Sequence, residues 1–314
     1  MKELSYKDIF IKPQKCIVDS RKKCDTTVQL GKFKFEMPVY AANMKSVVDI
    51  DTCKFFASNN WFYTMHRFDI NYEMFMSEMK NHDYFTSISV GINWGSKNQL
   101  EGLLEKNYIP DFITIDVANA WSDKTHKMVD FIKEKFPSTF LIVGNVATGE
   151  AVEEIESWGA NAIKCGIAGG KVCLTKNKTG VARSMVTTIL ECSSATTLPI
   201  IADGGIVEHG DVAKAVVCGS SMVMAGSLFA GYDQSAGNII EIEDRMYKEY
   251  YGSASKYNKN ECKNIEGKKI LIQYKGDMER LLIELKEDLQ SSISYTGGNK
   301  LVDLKGKEYY VVNN

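Results

Sequence analysis

Eight short apolar runs, each too compact for a helix and bounded by polar or turn residues, recur along this 314-residue chain. They are MPVYAANM from 37, WFYTMHR from 61, TSISVGI from 86, FITIDVA from 112, FLIVGNV from 140, AIKCGI from 162, LPIIADGG from 198 and SMVMAGS from 221. Their apolarity is continuous rather than alternating, as parallel strands buried on both faces require. Stretches of helical period lie between them. Ser122 stands as an N-cap before DKTHKMVDFIKEKF, and Thr148 before GEAVEEIESWG, which places Ala151, Val152, Ile155 and Trp158 on one face. Eight such units predict an α/β fold, a closed (β/α)8 TIM barrel with its active-site residues at the C-terminal ends of the strands. An open doubly wound sheet is the alternative that the pattern leaves. No Pro- or Ser-rich linker divides the chain, so residues 1–314 read as a single domain.

Composition narrows the function classes. Hydrophobic residues make up 44% of the chain, enough for a sizeable core, and 38 basic against 40 acidic residues leave no field that would gather nucleic acid. No apolar run approaches a membrane span and the N-terminus lacks a signal-peptide pattern, so a cytoplasmic protein is expected. The eight cysteines (16, 24, 53, 165, 173, 192, 218, 262) form no CxxC pair, which argues against a disulfide scaffold and a structural zinc site.

Polar residues gather where a barrel mouth requires them: Asn43, His66, Arg67, Asp116, Asn145, Asp203 and Ser227 all sit at or just past the end of a run. After the seventh run the chain reads IADGG (201–205), and after the eighth MAGSLFAG (224–231). Two glycine-containing turns at this position suit a phosphate, with the Ser227 hydroxyl and a following helix N-terminus in support. A carboxylate at Asp203 suits the two hydroxyls of a ribose, so the ligand reads as a nucleotide.

The sixth run ends in GIAGGKVCLTKNKTG (166–180), which holds glycines, three lysines and Cys173. A polar, cation-rich loop favours a thiolate, and Thr175 stands within reach to relay a proton. The glycines also allow carbonyls to turn inward together around a monovalent cation. As a phosphate-binding P-loop the segment fails, because Val172 follows Lys171 where Ser or Thr is needed.

GIAGGKVCLT (166–175), IADGGI (201–206), VMAGSLFAG (223–231) and YGSAS (251–255) together resemble the family of IMP dehydrogenases and GMP reductases. The resemblance runs from SYKDIFIKP through ANM (42–44) and MHRF (65–68) to DLQSSISYTGG (288–298). Three features are similar to the reductase branch. The chain between Met65 and Thr86 has no room for an inserted domain, no Arg-Tyr dipeptide follows Gly231, and IEGKK (265–269) is present.

What the resemblance implies is specific. It makes Cys173 the nucleophile toward carbon 2 of GMP, with Thr175 and Glu266 handling the proton given to departing ammonia, and NADPH the reductant that leads to IMP. Asp203, Gly204, Gly205, Gly226 and Ser227 fall where ribose and phosphate are held. Gly252, Ser253, Ala254, Gly267 and Lys268 fall on C-terminal flap segments that close over the base, while Arg67, Asp116, Val117 and Ala118 match the nicotinamide side. Carbonyls of Ala168, Gly170 and Cys173 would ring a potassium ion, and the assembly implied is a homotetramer. Ala168 replaces a glycine and GIAGG lacks the usual proline of this loop, while NAWSDK after Ala118 replaces a His-containing version. An IMP dehydrogenase and a non-catalytic purine-nucleotide-binding barrel are the alternatives carried forward. The stripe Leu281, Leu282, Leu285 and Leu289 predicts a C-terminal helix packed on the barrel.

Overall fold

The computed structural model describes residues 3–256 and 266–312, so Cys262 and Ile265 lie outside the described residues. Seven of the eight apolar runs form parallel strands of one sheet: β4 (Val39–Ala41), β5 (Ser87–Val90), β6 (Phe112–Asp116), β7 (Phe140–Val146), β8 (Ala162–Cys165), β9 (Ile200–Asp203) and β10 (Met222–Ala225). Their order is β4-β10-β9-β8-β7-β6-β5, so the first strand pairs with the last, Val39 opposite Val223. A doubly wound sheet would reverse its order midway, whereas this one curls round on itself as a (β/α)8 barrel does.

The run from Trp61 differs from expectation. It joins the sheet through a single parallel bridge, Met65 to Ile88, with the Met65 N–H donating to Ser87 O and its carbonyl accepting from Ser89 N–H, each at 3.0 Å. Side chains take the place of further ladder bonds. The Tyr63 hydroxyl donates to the Phe85 carbonyl, and Thr64 and Ser87 share a hydroxyl–hydroxyl bond of 3.1 Å. Toward β4 the contact is ring against ring, Tyr40 to Phe62 at 4.8 Å. The run thus occupies its place in the barrel wall with little backbone pairing.

Helices follow the strands with the caps that the sequence signals. Ser122 Oγ accepts the Thr125 N–H at the head of the helix Asp123–Lys135, and Thr148 Oγ1 accepts the Ala151 N–H at the head of Gly149–Ser157. Ala151, Val152 and Ile155 are buried as their spacing predicts, while Trp158 is half-buried and stacks on His126. The C-terminal helix Glu279–Tyr295 buries Leu281, Leu282, Leu285 and Leu289 and packs against the helix Gly210–Val217. No helix among the described residues is long and apolar enough to cross a membrane.

The two ends of the barrel differ in chemistry. At the N-terminal ends of the strands, the hairpin β2 (Val28–Leu30) and β3 (Phe33–Phe35) inserts Phe33 and Phe35 among Phe62, Phe85 and Phe112, with ring centroids 5.0–6.2 Å apart. Tilted and edge-on contacts of this kind add to what their area burial gives. The short strand β1 (Ile9–Ile11) pairs with β14 (Tyr309–Val311) and ties the chain ends together. Past the C-terminal ends, β11 (Ile239–Ile242), β12 (Arg245–Tyr251) and β13 (Lys269–Gln273) form a separate antiparallel sheet, the flap.

The aromatic plug generates a stability prediction. Phe35→Ala removes a side chain that is 1% exposed and touches four other rings, so urea unfolding should show a loss of about 3–5 kcal/mol. A loss below about 1 kcal/mol would mean that the plug is not part of the core.

Candidate active site

The polar end of the barrel is organised around Lys164, an inward-facing residue of β8 that is 1% exposed. Its ammonium donates to Asp116 Oδ1 at 2.9 Å and to Asp203 Oδ2 at 2.5 Å, thereby joining the ends of β6, β8 and β9. Burial alone pushes a lysine toward the neutral form, but the two carboxylates outweigh it and hold this ammonium charged well above its ordinary range. Burial likewise raises the Asp116 carboxyl, and the charges of Lys164 and Arg67 overcome that and hold it below the usual carboxylate range. Asn145 of β7 completes the network. Its Nδ2 donates to Asp203 Oδ2 at 2.8 Å and to the Gly166 carbonyl at 2.7 Å, while its Oδ1 is buried without a partner.

Above this network lies a cavity of about 280 Å³ bounded on one side by the loop after β8 and on the other by the flap. Cys173, Thr175 and Glu266 line it together. The Cys173 thiol donates to Thr175 Oγ1 at 3.2 Å, and the Thr175 hydroxyl donates to Glu266 Oε2 at 2.5 Å. Two segments distant in sequence are thus joined in one hydrogen-bonded line. Backbone bonds fasten the same junction: Leu174 N–H to Glu266 O at 2.6 Å, Lys268 N–H to Val172 O at 3.0 Å, and a bridge between Cys173 and Gly267. Gly267 is needed where this segment passes residues 252–255, since a Cβ there would sit 2.9 Å from Ser255 N and 3.1 Å from Ala254 C.

Among the described residues, the other cysteines behave as buried apolar residues or lie outside the site. Cys24, Cys53, Cys165, Cys192 and Cys218 are buried, and Cys16 is exposed. Burial pushes the Cys218 thiol up to about 12. Cys173 is half-buried and opens on the cavity. Lys171, Lys176 and Lys178, which make its loop cation-rich in sequence, all point to solvent.

Most residues singled out from the sequence converge here. Asp203, Gly252, Ser253, Ala254, Gly267, Ala118, Ala168 and Gly170 line the cavity with the three above. Others stand behind it. Gly204 backs onto Gly169, and Gly226 faces the Tyr250 hydroxyl so closely that a Cβ would lie 2.3 Å from it. Gly205 lines a separate cavity of about 770 Å³ behind Ala168 and Gly169. Ser227 opens a turn closed by the Phe229 N–H on Gly226 O, not the α-helix that the sequence suggested, so no helix N-terminus supports it. Val117 exchanges backbone bonds with Gly144 and Asn145. The Arg67 guanidinium lies over the Phe68 ring at 4.6 Å with Nε buried and unpartnered. Beside it, burial pushes His66 down to about 4, so the ring is neutral and its Nδ1 accepts the Phe68 N–H.

Ala168 adopts φ +66°, a left-handed conformation that costs a non-glycine residue about 1–2 kcal/mol. The backbone therefore keeps the course a glycine would give it, and the Gly170 carbonyl farther along the loop accepts the Cys173 N–H at 3.1 Å. Lys164, Tyr250 and Met44 belong to the site and escaped the sequence reading. Lys164 had a signal, a charge set inside the apolar run AIKC, whereas Tyr250 and Met44 look like any core residue.

A family model described as IMP dehydrogenase / GMP reductase domain matches residues 3–313. The GMP reductase of Chromobacterium violaceum is 57% identical over 306 residues, covering 98% of this chain and 97% of the relative. That of Oceanobacillus iheyensis is 48% identical over 312 residues (98% and 95%), and that of Staphylococcus aureus strain JH9 47% identical over 317 (100% and 98%).

The network makes a pH-dependent prediction. Lys164→Met leaves two carboxylates facing each other without their cation, and breaking a buried pair costs about 3–5 kcal/mol. A depressed Asp116 stabilises the fold above its unfolded value near pH 4 and ceases to as pH falls through its folded value; a raised Lys164 stabilises below about pH 10 and ceases to as pH rises through its folded value. The deficit of the variant in denaturant titrations should therefore be widest between about pH 5 and 10 and shrink in acid. A deficit independent of pH would point to lost packing alone.

Proposed function

This chain belongs to the IMP dehydrogenase / GMP reductase family, and from that premise we propose that it is an NADPH-dependent reductase converting GMP to IMP and ammonia. The observation that carries the reading is the line Cys173–Thr175–Glu266 at 3.2 and 2.5 Å. It gives the thiol a route to lose its proton: Sγ–H to the Thr175 hydroxyl, and the Thr175 hydroxyl proton to the Glu266 carboxylate. The thiolate so formed is the nucleophile, and the protonated Glu266 becomes the acid that the departing amine needs.

In this mechanism Cys173 Sγ bonds to carbon 2 of the guanine ring. The C–N bond to the exocyclic amine breaks, and protons delivered through Thr175 and Glu266 let it leave as ammonia, so that Cys173 is left in a thioimidate. The chemistry that NADPH would supply when bound is a hydride for carbon 2. Loss of the C–S bond returns the thiolate to Cys173 and releases IMP. Asp203, fixed by Lys164 and Asn145, keeps its other oxygen for the ribose hydroxyls. Gly205, Gly226 and Ser227 would offer backbone and hydroxyl donors to the phosphate, and Gly204, whose N–H is taken by the Met224 carbonyl at 3.3 Å, would shape the turn that presents them. Gly252, Ser253, Ala254, Gly267 and Lys268 cover the base and exclude water from the thioimidate.

The residues present fit a nicotinamide. Asn145 Oδ1, a buried acceptor without a partner, opens beside Ala118 in the same cavity, and Arg67 Nε is a buried donor without a partner. Arg67, Asp116, Val117 and Ala118 would hold that half of the cofactor. For a potassium ion, the retained left-handed turn at Ala168 fits a ring of carbonyls from Ala168, Gly170 and Cys173, where the charge would order the nucleophile loop. A single catalytic domain spanning residues 1–314, assembled as a cytoplasmic homotetramer, belongs to the same proposal.

The test is GMP-dependent oxidation of NADPH, followed by absorbance. Cys173→Ala should abolish it while GMP still binds, and Thr175→Ala and Glu266→Gln should each lower kcat by roughly 10²–10⁴-fold. Turnover retained by Cys173→Ala would overturn the covalent mechanism, and IMP-dependent reduction of NAD without any GMP reaction would identify a dehydrogenase instead.

A further inference from the structure

The flap carries a buried cation on its inner face. Lys248, in the middle of β12, is 5% exposed, and its ammonium donates to the carbonyls of Tyr232 at 2.8 Å, Asp233 at 3.2 Å and Ser235. Three acceptors match the three donors of an ammonium, and among the described residues all three are main-chain groups of the turn that follows β10. The carboxylates that act on Lys248 from farther away, Asp233 and Asp49, are engaged elsewhere. Asp233 Oδ1 accepts the Tyr274 hydroxyl at 2.5 Å, and Asp49 Oδ1 caps the helix Ile50–Ser58 through the Thr52 N–H at 2.8 Å. Burial accordingly holds this ammonium below the ordinary lysine range in spite of both. Buried charges are ordinarily paired with an opposite charge, so a cation held by carbonyl dipoles needs a reason other than stability.

Its place in the strand supplies one. Side chains alternate along a strand, so Lys248 and Tyr250 share the face of β12 turned to the barrel, and both are buried. Tyr250 brings its hydroxyl against Gly226, and Gly252, the first residue past the strand, opens the stretch that lines the cavity. The turn beneath is itself anchored: the Asp233 N–H donates to Gly276 O at 2.9 Å, the Thr52 hydroxyl to Gln234 O, and the Ala236 N–H to Val47 O at 3.2 Å. Apolar contacts let one surface slide along another, whereas three carbonyls converging on one nitrogen fix a position, because hydrogen bonds weaken steeply with distance and angle. A shift of β12 would also travel onward. The Gly252 N–H donates to Lys268 O at 3.2 Å and the Glu266 N–H to Ala254 O at 3.0 Å, so the strand's end is tied to the residue that meets Thr175.

We propose that Lys248 is a positioning residue for this site, a cation tethered to β12 that fixes how the flap strand lies along the barrel, and with it the placement of Glu266 against Thr175 and of residues 252–254 over the cavity. The inference rests on the reductase reading for the reaction that is positioned, while the peg is a property of the flap itself. A small free alkylammonium would satisfy the same carbonyls once the side chain is removed.

The test uses the full chain. Lys248→Ala should still bind GMP and lose kcat for GMP-dependent NADPH oxidation by roughly 10²-fold, the cost of a small misplacement of reacting groups. It should also uncover Cys173, so that iodoacetamide labels the Cys173 peptide several-fold faster, read by mass spectrometry to separate it from the exposed Cys16. Methylammonium should restore slow labelling and much of kcat in this variant and leave wild type unchanged, a response that a merely structural lesion would not give. Lys248→Gln, which keeps two N–H donors without the charge, provides a second reading where the alanine variant is unstable; its labelling should lie between those of wild type and Lys248→Ala, with the unfolding midpoint as control. Wild-type labelling in Lys248→Gln, or a loss in Lys248→Ala that methylammonium does not relieve, overturns the proposal. Methylammonium-reversible labelling in a protein that does not oxidise NADPH with GMP supports the peg and overturns the reductase reading instead.

Discussion

The ammonium of Lys164 between Asp116 and Asp203 is the contact on which the functional end of the barrel depends. A buried ion pair is weak evidence for stability, since apolar residues of equal volume often serve a fold as well or better. Its place in this protein is better explained by geometry. One cation holds two carboxylates that terminate different strands, and a third strand contributes Asn145 to the same Asp203 oxygen. Asp203 is thereby locked through one oxygen and left with the other, which is the arrangement a residue needs if it is to receive a ligand without first reorganising.

That polar network is affordable because the opposite end of the barrel is so thoroughly apolar. Phe33 and Phe35 from the N-terminal hairpin close the lower mouth, and the rings of Phe62, Phe85 and Phe112 meet them. The weakly paired run through Met65 is fixed at this end by its rings and at the other by the bridge to Ile88. Its upper residues, His66 and Arg67, can therefore be aimed by side-chain packing without strand pairing on both sides.

Much of this was legible in the sequence, and the reasons are local. Continuous apolar runs marked the strands, and Ser122 and Thr148 announced their helices because a cap needs only a hydroxyl three residues before an open N–H. The loop cysteine stood out among the others because only it sits amid glycines and polar residues. What the sequence concealed depends on closure. Whether the run from Trp61 would pair on both edges is decided by the stagger of its neighbours, and the helix expected after Ser227 gave way to a turn. Lys164 was visible as a charge within AIKC, but its meaning required knowing that residues 48 positions before it and 39 after it would arrive at the same point. The pairing of Thr175 with Glu266 spans 91 residues and has no local signature at all; only the family resemblance anticipated it.

The loop that carries Cys173 is consequently a shared structure. Its own conformation is strained at Ala168, where a left-handed backbone is imposed on a residue that resists it. Such strain persists only when the surroundings over-determine the chain; beside Ala168 these are the turn at Asp203 and Gly204 and the side chain of Met185, against which Gly166 and Gly169 pack, while farther along the same loop Glu266 and Lys268 bond to Leu174 and Val172 on either side of the cysteine. The flap is in turn pegged to the barrel by Lys248, whose ammonium is taken up by the carbonyls of Tyr232, Asp233 and Ser235, and by Ser46, which exchanges two bonds with Tyr251. The proposed nucleophile, its proton relay and the cover over the base are therefore set by one continuous chain of contacts, running from the turn after β10 through the flap to the strained loop.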